Sequence, residues 1–106
     1  MARYLIKVSY GVDGVRGVLK EGGTGRSTIV RQLIESVGGT LESFYFAYGD
    51  VDAYVIAEFP DAAKGLAVSL AVNASGAVRV TTVPLITPAE MDAASKAPIV
   101  YRAPGT

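Results

Sequence analysis

Residues 3–10 alternate between apolar or aromatic side chains and a mostly polar set, which is the pattern of a β-strand. Tyr4, Ile6, Val8 and Tyr10 are apolar or aromatic, and they alternate with Arg3, Leu5, Lys7 and Ser9. A period of two predicts a strand with two different faces. Residues 77–86 alternate in the same way and predict the last strand of the domain.

A hairpin is predicted between residues 40 and 59. Residues 40–47 and 51–59 are rich in aromatic and β-branched side chains, and Gly49-Asp50 between them is a turn signal. Pro60-Asp61 ends the second strand. The segment therefore supplies strands two and three.

Apolar residues at helical spacing predict helices in the segments between these strands. Residues 12–21 predict a short irregular helix, which Gly22-Gly23-Thr24-Gly25 should break. A longer helix starts near Ser27, with one apolar face (Ile29, Val30, Leu33, Ile34 and Val37), and ends at Gly38-Gly39.

A second main helix is predicted from Asp61, its cap, to about Ser75, and Gly76 ends it. Leu66 and Leu70, with the small residues Ala67, Ala71 and Ala74, are expected to face the sheet. Thr87-Pro88-Ala89-Glu90 has the form of a capping box and predicts a short helix to about Lys96. Residues 1–86 thus form one domain, and residues 87–106 add a helix and an extended tail.

The order of these elements predicts an α+β fold of ferredoxin-like βαββαβ type, with a four-stranded antiparallel sheet and both helices on one face. Tyr4, Ile6, Val8, Val78 and Val80 are assigned to the covered face. The open face then carries Leu5, Lys7, Ser9, Tyr54, Ile56, Glu58, Arg79, Thr81 and Val83. This mixed surface favours a partner sheet from a second copy, which makes a homodimer or a larger homo-oligomer the expected state.

Five polar residues of the open face form the candidate ligand-binding set: Lys7, Tyr54, Glu58, Arg79 and Thr81. Strand alternation places them on one surface, and a charge that becomes buried there needs a partner or a ligand. The alternative is an ion-pair network that fixes the register of the dimer.

Composition narrows the chemistry. The chain has 106 residues with ten basic and ten acidic side chains, so a nucleic-acid partner is not expected. It contains no Cys and no His, and we therefore expect no transition metal, haem or other cofactor. No apolar run approaches a membrane span, and we expect a cytoplasmic protein without a membrane partner.

Two loops carry weaker signals. Asp50 and Asp52 could supply oxygen ligands or an acid-base pair, but turn chemistry with backbone bonds is favoured. The segment from Gly22 to Thr28 could hold an anion at a helix start with Arg26 as counter-charge, but a turn capped by Ser27 or Thr24 is favoured.

The chain resembles the GYD-domain family, small bacterial proteins of dimeric α+β barrel type. The resemblance rests on RYLIKVSYG, Gly38-Gly39, FYFAYGDVDAYVIAEFPD and the segment from Gly76 to Arg79, and it spans about residues 3–86. Gly49 and Asp52 match the name-giving motif, whereas Val51 stands where the family has tyrosine. The resemblance implies the fold and the dimer and brings no established activity.

Three functions stay open at this point. The first is an oligomeric domain that binds a small molecule in the cleft between paired sheets. The second is a structural or assembly subunit whose cleft is filled by its own side chains. The third is a cofactor-independent enzyme that would use Glu58, Asp52, Lys7 or Tyr54 as acid or base.

Overall fold

The structure is a computed structural model that describes residues 1–106, and it contains four strands and three helices. In chain order these are β1 (Ala2–Tyr10), α1 (Val12–Glu35), β2 (Thr40–Phe46), β3 (Ala53–Phe59), α2 (Ala62–Ala74), β4 (Val78–Leu85) and α3 (Pro88–Ser95). The sheet order is β2-β3-β1-β4, and every neighbouring pair is antiparallel. This arrangement confirms the predicted α+β ferredoxin-like fold.

The core lies between the sheet and the two long helices. Its largest fully buried side chains are Phe59 and Val55 from β3 and Ile34 from α1. Burying such a side chain contributes about 1.5–3 kcal/mol relative to leaving it in water. The side chains predicted for the covered face are confirmed there: Ile6 and Val8 are buried, and Tyr4, Val78 and Val80 pack against them.

Gly39 sets the close approach of α1 to the sheet. A Cβ at this position would lie 2.7 Å from the Glu58 carbonyl oxygen and 2.8 Å from Ile34 Cγ2. The Gly39 amide donates to the Ile34 carbonyl, and the preceding Gly38 has a φ of +83° that suits glycine. The pair therefore ends the helix and lets the chain enter β2 directly beneath it.

The predicted break after residue 21 is confirmed in position, because a kink at Gly22 separates two helical segments of α1, and it is wrong only in length. Only Gly22, with φ 80° and ψ 162°, departs from helical geometry, and helix resumes at once. Thr24 and Ser27 lie within the segment that follows Gly22 and therefore do not cap it, and the Thr28 hydroxyl donates to the Thr24 carbonyl there. Gly23 and Gly25, which were also expected to break the helix, have helical geometry.

The predicted sheet-facing stripe of α2 is also wrong. Leu66 and Leu70 are 60% and 62% exposed, whereas Gly65 and Val68 are buried. Gly65 lies against Phe59, where a Cβ would come within 3.2 Å of the ring. Because α2 is apolar around most of its circumference, spacing alone does not identify its inner face.

The ends of the later helices follow the sequence. The Asp61 carboxylate accepts from the Lys64 amide at 2.9 Å and caps α2. Thr87 and Glu90 form the predicted capping box of α3. Residues 97–106 follow without helix or strand, and Ile99, Val100 and Tyr101 are exposed. No helix has the length and apolar character that crossing a membrane requires.

The β2–β3 connection is longer than the predicted tight turn. β2 ends at Phe46 and β3 begins at Ala53, so six residues connect them. The register of this pair also shifts between Leu41 and Ser43, which marks a β-bulge around Glu42. Both features change which side chains of the hairpin reach the open face.

Candidate functional site

The open face of the sheet is built of cross-strand rows. Thr81, Lys7, Tyr54 and Tyr45 lie side by side across all four strands. In the next row Val83, Leu5 and Ile56 are neighbours, and beyond it Arg3 pairs with Glu58. An apolar row thus separates two polar rows, because residues two apart on a strand share a face.

Asp50 joins Lys7 to Tyr54. The Tyr54 hydroxyl donates to Asp50 Oδ1 at 3.2 Å, and Lys7 Nζ lies 3.9 Å from Asp50 Oδ2. The hydrogen bond to Asp50 raises the pKa of the Tyr54 phenol above its usual value of 10.0, so the phenol stays protonated at neutral pH. Asp50 was predicted to bond to the backbone, and instead its carboxylate bonds to a side chain of the candidate set.

Glu58 forms an ion pair, although neither Lys7 nor Arg79 of the candidate set is its partner. Its Oε1 accepts from Arg3 Nη2 at 2.8 Å, and Arg3 Nε lies 2.9 Å from Glu42 Oε2. The bulge in β2 brings Glu42 to this position. The Glu58 carboxylate is therefore satisfied within the chain, at the far side of the apolar row from Lys7.

Arg79 lies on the edge strand β4, opposite Ser9. It forms no ion pair, unlike Arg3 and Lys7 on the same face. A cleft of about 660 Å³ runs along this part of the edge and is lined by residues that include Ser9, Asn73, Arg79 and Thr81. Arg79 and Thr81 are thus accessible from the edge of the sheet as well as from its open face.

Asp52 has a backbone role, as predicted for this loop. Its Oδ2 accepts from the Tyr10 amide at 2.8 Å, and its own amide donates to the Val8 carbonyl. The β2–β3 loop is therefore tied to the end of β1. Gly49, the other matching residue of the motif, lies where a Cβ would meet nothing within 4 Å.

A second polar group lies on the opposite side of the sheet, beneath the helices. Tyr10 at the end of β1 lies beside Arg26 of α1, and Glu21 Oε2 is 3.8 Å from Arg26 Nη1. Burial raises the pKa of the Tyr10 phenol above 10.0, the nearby Arg26 opposes this shift, and Asp52 and Glu21 add to it. Tyr10 and Arg26 border a small apolar cavity between the helices and the sheet.

In the comparison with known protein families, the model of the GYD domain matches residues 4–95. The chain belongs to the GYD-domain family. The match continues past residue 86 and includes α3. Neither the curated proteins nor the solved structures include a significant match to the chain.

In this GYD domain, the candidate set divides into two parts. Lys7 lies between Tyr54 and Thr81 with Arg79 one row away, whereas Glu58 lies with Arg3 beyond the apolar row. No three Asp or Glu side chains are grouped so that they could hold a metal ion.

Asp50, Arg3 and Tyr45 were missed as members of the open face. The alternation along β1 would have placed Arg3 on the open face, because it lies two residues from Leu5 and four from Lys7. Tyr45 and Glu42 were obscured by the bulge, which changes the alternation of β2. Asp50 carried a turn signal but none for the open face, because the loop conformation decides which way its carboxylate points.

Proposed function

We propose that this GYD-domain protein is a homo-oligomeric small-molecule binding protein, in which two open sheet faces stack and enclose a ligand cleft. The observation that carries the proposal is the contact of Asp50 with both Lys7 and Tyr54 on the open face. A cation, a carboxylate and a protonated phenol converge there, and each offers a different hydrogen-bonding function to a bound molecule.

The row of Val83, Leu5 and Ile56 supports the oligomer. These neighbouring side chains form an apolar band on a face that no helix covers, and Val83 is 36% exposed. Contact with the same band of a second copy removes it from water, as an isologous interface requires. Lys7, Tyr54 and Asp50 would then line one end of the cleft, where a ligand can displace the 3.9 Å contact of Lys7 with Asp50.

The ligand class follows from the charges that are free to bind. Lys7 lies beside Tyr54 and has only a distant ion-pair partner, and Arg79, one row away on β4, has none. These groups suit a small organic molecule with an anionic or carbonyl oxygen, and Asp50 suits a hydrogen-bond donor on the same molecule.

The test is a nuclear magnetic resonance titration of the ¹⁵N-labelled protein with panels of small carboxylates, phenols and amides. A ligand of the cleft shifts the amides of Lys7, Tyr54 and Thr81, and Lys7→Met abolishes those shifts. Lys20→Met, on the exposed surface of α1, leaves them unchanged. Amide shifts that persist in Lys7→Met contradict the proposal, and so does the absence of shifts on the open face with every panel.

An assembly role is the second candidate, and one observation favours it. Arg3 is bonded to both Glu42 and Glu58 within a single chain, so this polar row needs no ligand. If the apolar band and this row pack against a second copy along their whole length, the interface holds no cavity. Titrations without any shift at Lys7, in a protein that is dimeric by light scattering, favour this role.

A further inference from the structure

The two edges of the sheet differ in how open they are to another strand. On the β4 edge the Asn73 side chain takes the place of a neighbouring strand: its Oδ1 accepts from the Val80 amide at 2.8 Å, and its Nδ2 donates to the Val80 carbonyl at 3.3 Å. Pro84, further along β4, has no amide proton to donate. On the β2 edge neither a strand nor a side chain bonds to the outer backbone groups. The β2 edge is therefore the more open of the two to strand addition.

Residues 99–103, here called the tail segment, have the composition of a strand but no partner. Ile99, Val100 and Tyr101 are β-branched or aromatic, and the segment lies between Pro98 and Pro104. All three side chains are exposed, and their backbone groups form no hydrogen bonds. The chain thus contains both an unpaired strand edge and an unpaired strand-forming segment.

The connection through α3 carries the tail segment away from its own domain. No residue of α3 is buried. The radius of gyration is 16.8 Å, whereas a compact domain of this length has about 13 Å. The eight residues of α3 and the extended residues beside it span roughly 29 Å, which exceeds the roughly 23 Å length of β2. The tail segment can therefore reach either end of a neighbouring sheet.

We propose that the tail segment of one copy adds as a fifth strand to the β2 edge of a second copy, antiparallel to β2. The inference rests on the proposed dimer, because a strand of five residues buries too little surface to hold two copies together. In stacked sheets related by a two-fold axis along the strands, the β4 edge of one copy lies about 10 Å from the β2 edge of the other. The β2 edge of the same chain is three strands from β4, about 14 Å across the sheet.

The apolar residues of the tail segment match exposed aromatic side chains of β2. Tyr45 is exposed on the open face, and Phe46 is partly exposed on the covered face, next to Gly23 of α1. When Val100 lies opposite Tyr45, Ile99 lies opposite Phe46 on the other face, because neighbouring residues of a strand alternate. This register covers both aromatic rings in addition to forming the backbone bonds of strand addition.

The same register brings opposite charges together. Arg102, two residues from Val100, then lies at the bulge in β2, where Glu42 is located. Glu42 is partly exposed and pairs with Arg3 through Oε2, which leaves Oε1 available. Arg102 has no ion pair within the chain, and its Nε donates to the Thr106 carbonyl. Because an exposed ion pair adds little affinity, this pair favours the antiparallel register without holding the copies together.

The experiment uses disulfide formation between two full-length variants. The chain contains no Cys, so one cysteine per chain reports only contacts between copies. Val100→Cys and Tyr45→Cys are mixed, unfolded and refolded together under reducing conditions, and then oxidised. We expect a heterodimer linked by a disulfide, because opposite residues of adjacent strands have the Cα separation that this bond needs. Thr81→Cys is the matched control, since Thr81 lies at the β4 end of the same cross-strand row as Tyr45, and it should give at least about tenfold less heterodimer with Val100→Cys.

Light scattering on the wild type separates this proposal from the dimer on which it rests. If the protein is a dimer but Val100→Cys links to Tyr45→Cys no better than to Thr81→Cys, the tail addition is wrong and the paired sheets stand. Tyr45→Cys that links mainly to itself would mean that β2 meets β2 of the second copy, which also overturns the addition. A monomeric wild type contradicts both the addition and the dimer.

Hydrogen exchange gives a second readout that needs no cysteine. In the wild type we expect the amides of the tail segment to include some that exchange at least about tenfold more slowly than in an unfolded chain. Successive amides of a strand point to opposite sides, so either Val100→Pro or Tyr101→Pro removes a bonded amide and abolishes this protection. Val100→Thr keeps the amide and the β-branched shape and should stay protected. Fast exchange throughout the wild-type segment, or protection that survives both prolines, overturns the proposal.

Discussion

Asp50 and Asp52 lie in the same loop, yet their carboxylates accept from different partners. Asp52 accepts from the Tyr10 amide in a part-buried position, whereas Asp50 accepts from the exposed Tyr54 hydroxyl. A carboxylate that satisfies a backbone donor stabilises the fold, and one that meets exposed side chains is free to exchange them for a ligand. The sequence predicted the first role and not the second, because both residues carry the same turn signal.

Asp52→Ala is expected to lower the free energy of unfolding by about 1–3 kcal/mol, because it leaves the Tyr10 amide without its acceptor. Asp50→Ala removes an exposed hydrogen bond and a distant, exposed ion pair with Lys7, and we expect a loss below about 1 kcal/mol. Urea unfolding followed by circular dichroism measures both. Equal losses for the two variants would mean that Asp52 does not hold the loop.

The raised pKa of Tyr10 predicts a dependence of stability on alkaline pH. The unfolded chain ionises this phenol near pH 10, while the folded protein holds the proton to a higher pH. The stabilisation from the protonated Tyr10 phenol is fully present below pH 10, and it is lost as the pH rises through the pKa of this phenol in the folded protein. Tyr10→Phe should therefore make stability fall less steeply above pH 10 than in the wild type.

Urea midpoints measured below and above pH 10 test this dependence on Tyr10. Tyr101→Phe, in the exposed tail, is the matched control and should follow the wild type. An equally steep loss of stability in Tyr10→Phe would show that the phenol is not desolvated in the folded protein.

In the helices, the local sequence is sufficient to predict the ends, whereas tertiary packing decides which face lies against the sheet. The caps at Asp61 and Thr87 were predicted because each needs only a few neighbouring residues. The inner face of α2 was not predicted, because the apolar sequence of this helix does not show whether Leu66 or Gly65 faces the sheet. The contact of Gly65 with Phe59 decides it. The break in α1 was assigned to four residues, although only the one with positive φ interrupts the helix.

Gly22→Ala tests that interruption. The φ of 80° and ψ of 162° at Gly22 belong to a region that other residues avoid, so alanine should cost about 1–3 kcal/mol of stability. Gly17→Ala, in the same helix with helical geometry and open space around it, should instead stabilise by about 0.5–1 kcal/mol. Thermal unfolding of both variants gives the signs, and a stabilising Gly22→Ala would mean that α1 runs straight through this position.

The whole molecule has one covered and one open sheet face, and the sequence predicted this asymmetry correctly. Alternation along β1 and β3 places Val8 and Val55 inward and Lys7 and Tyr54 outward, as observed. The pairings on the open face could not be predicted, because Arg3 reaches Glu42 only through a bulge and Asp50 reaches Tyr54 only through a six-residue loop. The period of two in the sequence predicts which sheet face a side chain occupies, whereas loop and bulge geometry determines which side chains it pairs with.

A dimer through the open face predicts that a charge in the apolar band separates the subunits. Ile56 lies directly beside Leu5 in the middle of the sheet, so Ile56→Glu would bury two carboxylates against apolar neighbours in a symmetric interface. We expect this variant to be a monomer of 11.0 kDa by light scattering, with an unchanged circular dichroism spectrum. Leu66→Glu places the same charge on the exposed side of α2 and should stay dimeric. A dimer that survives Ile56→Glu and dissociates in Leu66→Glu would move the interface to the helices, and it would leave the cleft between sheets without a partner to enclose it.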